Sequence, residues 1–288
     1  MSRIIGVHGV GNHRPGETPE QAGRALSAIW QRHLSDHLPE PCVVEVAYYA
    51  DHLRTPGKQG TDGLDNLPED AEQMLRTWLE SLDLPVQGRQ GWGTWPIRQA
   101  LAWVAERRRL SPHLVNLFVA TFFREVATYL GRTEDPARTA ARDRVVRAIR
   151  EKETNVVIAH SLGSVVAYEA LWACKDVQVD LLITLGSPLA LPHAVFPRLR
   201  PAPADDLGAR PPGVARWVNI ADPGDLVAVP RFGVSRRFSG VDVDEHSVVH
   251  AFDFHLAANY LACDALASVL SEHFRPAWNS PAKRMSPP

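Results

Sequence analysis

The sequence predicts an α/β fold: a mostly parallel central sheet with helices on both faces and a helical insertion. Three observations carry this. Short apolar, β-branched runs suited to strands buried on both faces recur at Ile4–Val7, Val43–Tyr49, Asn155–Ala159, Leu181–Leu185 and Trp217–Ala221. Helical patterns separate them, at about Pro19–His37 and Leu162–Cys174, and a third follows at Phe254–His273. Residues 50–153 contain no good strand.

In chain order, Ile4–Val7 opens the sheet and runs directly into "HGVGN". The helix from Pro19 and the strand from Val43 complete the first strand–helix–strand unit. Helices are expected near Pro68–Leu82, Pro96–Leu110, Pro112–Leu130 and Pro136–Arg150, each starting at a proline, whose missing N–H is tolerated in a first turn. The last two are expected to cover the sheet. Trp92, Trp95 and Trp103 either cap a site or fill the seam between helices, and the seam is the more ordinary use of large aromatic side chains. Arg107-Arg108-Arg109 reads as a solvated cationic helix end favoured by the helix dipole. Residues 191–213, rich in proline, read as a long surface loop. The expected organisation is one domain over 1–275, with the insertion at about 50–153, and a frayed tail over 276–288.

Composition narrows the function classes. The 288 residues are 45% hydrophobic with a net charge of −2, so no overall field favours nucleic acid or an anionic membrane. Arginines are scattered rather than striped. Three distant cysteines, Cys42, Cys174 and Cys263, give no disulfide framework. The N-terminus has no apolar run of signal-peptide length, and 114–130, interrupted by Arg124 and Glu125, is too short and polar to span a membrane. The expectation is a cytoplasmic protein without a transmembrane segment. The sequence carries no signal of oligomeric state.

The sharpest local signal is "NVVIAHSLGSVVAYEALW", residues 155–172. A strand ending at His160 and a helix starting by Leu162 leave Ser161 on a very tight turn. The positions two before and two after must then be small, and they are Ala159 and Gly163. This is a nucleophile elbow of G-x-S-x-G type with alanine in the first glycine position. A serine at such a turn also serves simply as a helix cap, so three further features matter. His8-Gly9 follows the first strand, where the amides of Val10 and Leu162 are suited to hold an oxyanion. Gly6, Gly9 and Gly11 also suggest a phosphate loop, but the Lys-Ser/Thr of a P-loop and the dinucleotide spacing are missing. Beyond the fifth strand come Asp222 and Asp225. The former suits a Pro-Gly turn; the latter, followed by apolar residues, is the better acid. Histidines then follow in the order serine, aspartate, histidine. His255, just before the closing helix, is preferred as base. His246, beside Asp244 and Glu245, reads as surface loop, and His160 as a packing residue. A zinc site from His246, His250 and His255 lacks the accompanying ligand pattern.

Together "HGVGN", "AHSLGS", "TLGSPL", "NIADPGDLVAVP" and the His255 segment resemble an α/β-hydrolase, more narrowly a lipase- or esterase-like one. "AHSLG" after a strand is similar to the elbow of bacterial lipases and of hydrolases related to inositol-deacylase proteins. "DLVAVP" is similar to the acid segment of class 3 lipases, which again favours Asp225. The resemblance implies catalytic Ser161, Asp225 and His255, backbone oxyanion donors at Val10 and Leu162, and no cofactor or metal. The chain departs from that pattern in that its first expected strand is the one bearing the oxyanion loop, without the first antiparallel strands of larger members, which leaves the total strand count open. The implied partner is a small-molecule ester or lipid-like substrate; an amide or peptide substrate, or a silent hydrolase fold used for binding, are the alternatives.

Overall fold

The computed structural model describes residues 2–38, 41–53, 64–82, 97–131, 136–151, 154–249 and 255–275. In chain order the elements are β1 (Ser2–Val7), α1 (Pro19–Leu34), β2 (Cys42–Ala47), α2 (Glu69–Ser81), α3 (Ile97–Arg108), α4 (Pro112–Leu130) and α5 (Pro136–Glu151). Then follow β3 (Val156–His160), α6 (Leu162–Ala173), β4 (Val179–Leu185), β5 (Gly208–Ala209), β6 (Val214–Ala221), α7 (Gly233–Arg237), β7 (Phe238–Ser239), β8 (Val243–His246), α8 (Ala257–Leu261) and α9 (Asp264–Phe274). Of the four inserted helices, α2 follows Pro68 directly and α4 and α5 start at Pro112 and Pro136, while α3 is described from Ile97. Helix α1 starts on a capping box: Thr18 accepts from the Gln21 N–H while Gln21 accepts from the Thr18 N–H.

Six strands form one parallel sheet in the order β2-β1-β3-β4-β6-β8. Alternation along each strand sends neighbours to opposite faces. Ile4, Val156, Ile158, Ile183 and Ile220 face α1, α8 and α9. Ile5, Val7, Val157, Ala159, Leu182 and Trp217 face the core that includes α2 to α6. The first crossover runs outward to β2, whereas the next returns to β3 on the other side of β1. The carboxyl ends of β1 and β3 thus flank a topological switch point, where a crevice opens in such sheets.

Helix α6 is buried along Leu162–Leu171, covered by the sheet and α5. Its Glu169 takes part in a buried ionic cluster. Arg138 of α5 grips both carboxylate oxygens, Nε to Oε2 at 3.0 Å and Nη2 to Oε1. The Tyr129 hydroxyl of α4 donates at 2.8 Å, and the Arg200 N–H at 3.0 Å. One buried carboxylate therefore ties together α4, α5, α6 and the segment before β5.

Four expectations need correction. A sixth strand, β8, lies at the sheet edge, so His246 is not in a surface loop; its side chain is buried and bonds Asp244 at 3.0 Å. Residues 191–213 are not merely a surface loop: Leu191, Val195, Phe196 and Leu199 are buried, and β5 pairs with β7. Proline content argues against regular structure, not against burial. The closing helix is broken between α8 and α9, where the Cys263 sulfur caps α9. His37 belongs to a separate 3-10 turn rather than to α1. Trp103 packs against the larger core, as a seam residue does; Trp92, Trp95, His250 and the 276–288 tail lie outside the described residues. Among the described residues no helix is long and apolar enough to cross a membrane.

Candidate active site

Ser161 stands between β3 and α6 at φ 56°, ψ −132°, a backbone conformation that L-residues rarely hold. The turn persists because its surroundings leave no alternative. A Cβ on Gly163 would lie 2.3 Å from the Val7 carbonyl and 2.4 Å from that of His8, so only glycine lets α6 start against the end of β1. Two hydroxyls brace the turn: Ser164 donates to the Ser161 carbonyl at 2.6 Å and bonds Ser187, beyond β4, at 2.7 Å.

The structure brings Ser161, His255 and Asp225 together although they come from three separate parts of the sheet. The Ser161 Oγ is 2.6 Å from His255 Nε2, and His255 Nδ1 is 2.7 Å from Asp225 Oδ2. All three are buried. Asp225 also accepts from the Val227 N–H at 2.8 Å and from the Tyr260 hydroxyl at 2.7 Å. Burial alone would raise the Asp225 carboxyl. The adjacent His255 and these two donors outweigh it and hold the carboxyl below the usual aspartate range. The Trp78 indole of α2 donates to the carbonyl of Leu226, the next residue, at 2.7 Å.

Asp222 has another task. Its Oδ1 accepts from the Gly224 N–H at 2.6 Å, the turn-forming use of an aspartate before Pro-Gly, and its Oδ2 accepts from the distant Val249 N–H at 2.6 Å. His246 serves Asp244 and the Phe232 N–H rather than the serine. The ring of His160 lies 4.8 Å from that of His255. Burial, together with the charge of His255, pushes it well below the ordinary histidine range, so it stays neutral. Among the described residues no group of His, Cys, Asp and Glu side chains could hold a metal ion.

The loop after β1 packs directly on the serine. A Cβ on Gly9 would fall 2.6 Å from the Ser161 Cβ, so Val10 follows at close approach. Leu162 is the first residue of α6, where helix N–H groups have no intrahelical acceptor. His8 is buried and held near pKa 4 by desolvation; its Nε2 accepts from the Tyr49 N–H at 3.1 Å, and Nδ1 bonds the Gly9 carbonyl at 2.8 Å. The aromatic faces of α4 close one side: the rings of Phe118 and Phe122 lie 5.1 and 6.4 Å from that of His255.

Tyr260, Phe118, Phe122 and Glu125 were not marked by sequence reasoning. Phe118, Phe122 and Glu125 recur at helical spacing along 114–130, so one face of α4 aimed at the site was the available signal. Tyr260 carried none, because its partner lies across the sheet edge.

No protein-family model matches the chain, and no curated protein matches it. Among solved structures, a dienelactone hydrolase from Anabaena variabilis ATCC 29413 is similar at 12% identity over 94% of this chain and 84% of that one, with a TM-score of 0.33. A likeness of that degree adds nothing to what the sheet order establishes.

Proposed function

We propose that this protein is a serine hydrolase of the α/β-hydrolase kind that cleaves carboxylic esters of small-molecule or lipid-like substrates. The observation that carries the reading is the unbroken relay from Ser161 Oγ through both ring nitrogens of His255 to Asp225 Oδ2, with bonds of 2.6 and 2.7 Å. In this reading His255 Nε2 takes the hydroxyl proton as Ser161 attacks the ester carbonyl. Asp225 accepts from Nδ1–H, fixing the tautomer and steadying the imidazolium. The amides of Val10 and Leu162 hold the oxyanion. His255 then protonates the leaving alcohol, and water hydrolyses the acyl-enzyme by the same relay. Phe118 and Phe122 keep water from the imidazole and favour an apolar acyl group beside it.

The test is labelling by a fluorophosphonate, comparing the native protein with Ser161→Ala. Labelling that disappears in the variant, together with hydrolysis of p-nitrophenyl acetate or butyrate that disappears with it, supports the reading. A folded native protein that neither labels nor hydrolyses either ester overturns it, as does labelling that persists in the variant.

A further inference from the structure

We propose, resting on the reading above, that Glu125 is a positioning residue that holds the oxyanion loop in its working conformation from the inserted helix α4. In a trans peptide the C=O and N–H point in opposite directions. The Gly9 carbonyl accepts from Asn12 Nδ2 at 3.0 Å and bonds His8 Nδ1 at 2.8 Å. The N–H of the same peptide unit, that of Val10, is therefore turned to the other side. The next peptide unit is gripped separately: the Gly11 N–H donates to Glu125 Oε1 at 3.0 Å. Asn12 Nδ2 reaches the Val10 carbonyl of that unit at 3.2 Å. The loop thus has both its peptide planes fixed, and the Gly11 anchor comes from 114 residues away in sequence.

Glu125 is a costly way to do no more than dock a helix. Its Oε2 is shielded from solvent and has no hydrogen-bond partner, a situation that an apolar side chain would avoid. Burial pushes the carboxyl up to about 7, in line with that cost. Gly11 itself stands at φ 72°, a turn conformation that favours glycine, and Glu125 is the side chain that meets its N–H there. The second helical turn of contact is apolar: Thr121 lies one turn before Glu125 and approaches Gly11 at 3.8 Å from an added Cβ. Glu125 touches neither Ser161 nor His255; it acts through Gly11 on Val10.

The experiment compares Glu125→Ala, Glu125→Met and Glu125→Gln for p-nitrophenyl butyrate turnover and fluorophosphonate labelling rate, with circular dichroism as the folding control. Gln keeps an acceptor for Gly11; Ala and Met remove it, and Met preserves the volume in case Ala does not fold. The expected result is a fall in kcat of roughly 10–100-fold in Met and Ala, as for a weakened oxyanion donor, with KM within about threefold and Gln within about fivefold of native. Native kcat in folded Met overturns the proposal, and so does a loss in Gln equal to that in Met. If Ser161→Ala abolishes labelling while Met labels at the native rate, only the role of Glu125 falls. If the folded native protein neither labels nor hydrolyses, the hydrolase reading falls and the role of Glu125 falls with it.

Discussion

Tyr260 donates its hydroxyl to the same Asp225 oxygen that meets His255 Nδ1, at 2.7 Å in each case. The tyrosine oxygen in turn accepts from the Asp222 N–H at 2.9 Å, so one phenol links both aspartates that follow β6. Two donors share the charge of one carboxylate oxygen, which limits how strongly that oxygen can hold an imidazolium. Tyr260→Phe is expected to shift the acid limb of the kcat/KM profile upward in pH, because the remaining His255 contact then carries the charge alone. Turnover on the plateau is expected to stay within about tenfold of native, because the lost bond holds Asp225 and not the reacting atoms. A pH–rate profile of the variant against native checks both.

The two aspartates separate cleanly by substitution. Asp225→Asn removes the charge that faces His255 and is expected to lower kcat by about 10³–10⁴ while leaving the fold intact. Asp222→Asn changes an acceptor of the Gly224 and Val249 amides, and should leave kcat within about tenfold at a loss of about 1 kcal/mol in stability. Steady-state kinetics and urea unfolding of the pair are the measurements.

Gly163→Ala is expected to fail more severely than its single methyl suggests. The added carbon would sit 2.3 Å from the carbonyl of Val7, and that carbonyl belongs to a strand held on both sides. Destabilisation above about 3 kcal/mol is expected, read as a large fall in Tm or as loss of soluble protein.

The buried Glu169 cluster predicts that a double variant is more stable than the single variant that strands its carboxylate. Arg138→Leu strands a carboxylate among α4, α5 and α6, and should cost about 3–5 kcal/mol. Arg138→Leu combined with Glu169→Leu removes both charges and should recover most of that loss. Denaturant unfolding of the cycle gives the answer.

Glu125 makes stability depend on pH in a defined window. Its folded pKa, about 7, lies above its ordinary value of 4.5, because burial favours the protonated form. The associated stability is fully present below about pH 4.5 and lost as pH rises to 7, at most about 3 kcal/mol. Glu125→Gln cannot ionise, so its advantage over native should grow through that window and level off above it. Urea midpoints at pH 5 and pH 8 measure the difference.

What the sequence disclosed follows the range of the physics involved. The elbow was legible because its steric demands act within five residues, Ala159 to Gly163. The central strands were legible because burial on both faces writes continuous apolar runs. Strand β8 was hidden because an edge strand can be held by polar groups. Asp244 there accepts from Asn219, from His246 and from the Ser235 N–H, and its carboxyl is held near 2 by these bonds against the opposing effect of burial. Val243-Asp244-Glu245-His246 therefore looks like a loop. Glu125 was hidden for the opposite reason: a lone acid in an apolar helix looks like a solubilising residue until its partner, Gly11, is brought to it.

The separation of Ser161 and His255 by 94 positions has a consequence for the timing of synthesis. A growing chain that has delivered the elbow still lacks β4, β6, the Asp225 turn and the histidine. Until residue 255 has left the ribosome and docked, Ser161 lacks the imidazole that its hydroxyl meets in the folded protein. On the proposed function, reactivity toward esters therefore arises only after most of the sheet that supports it is in place.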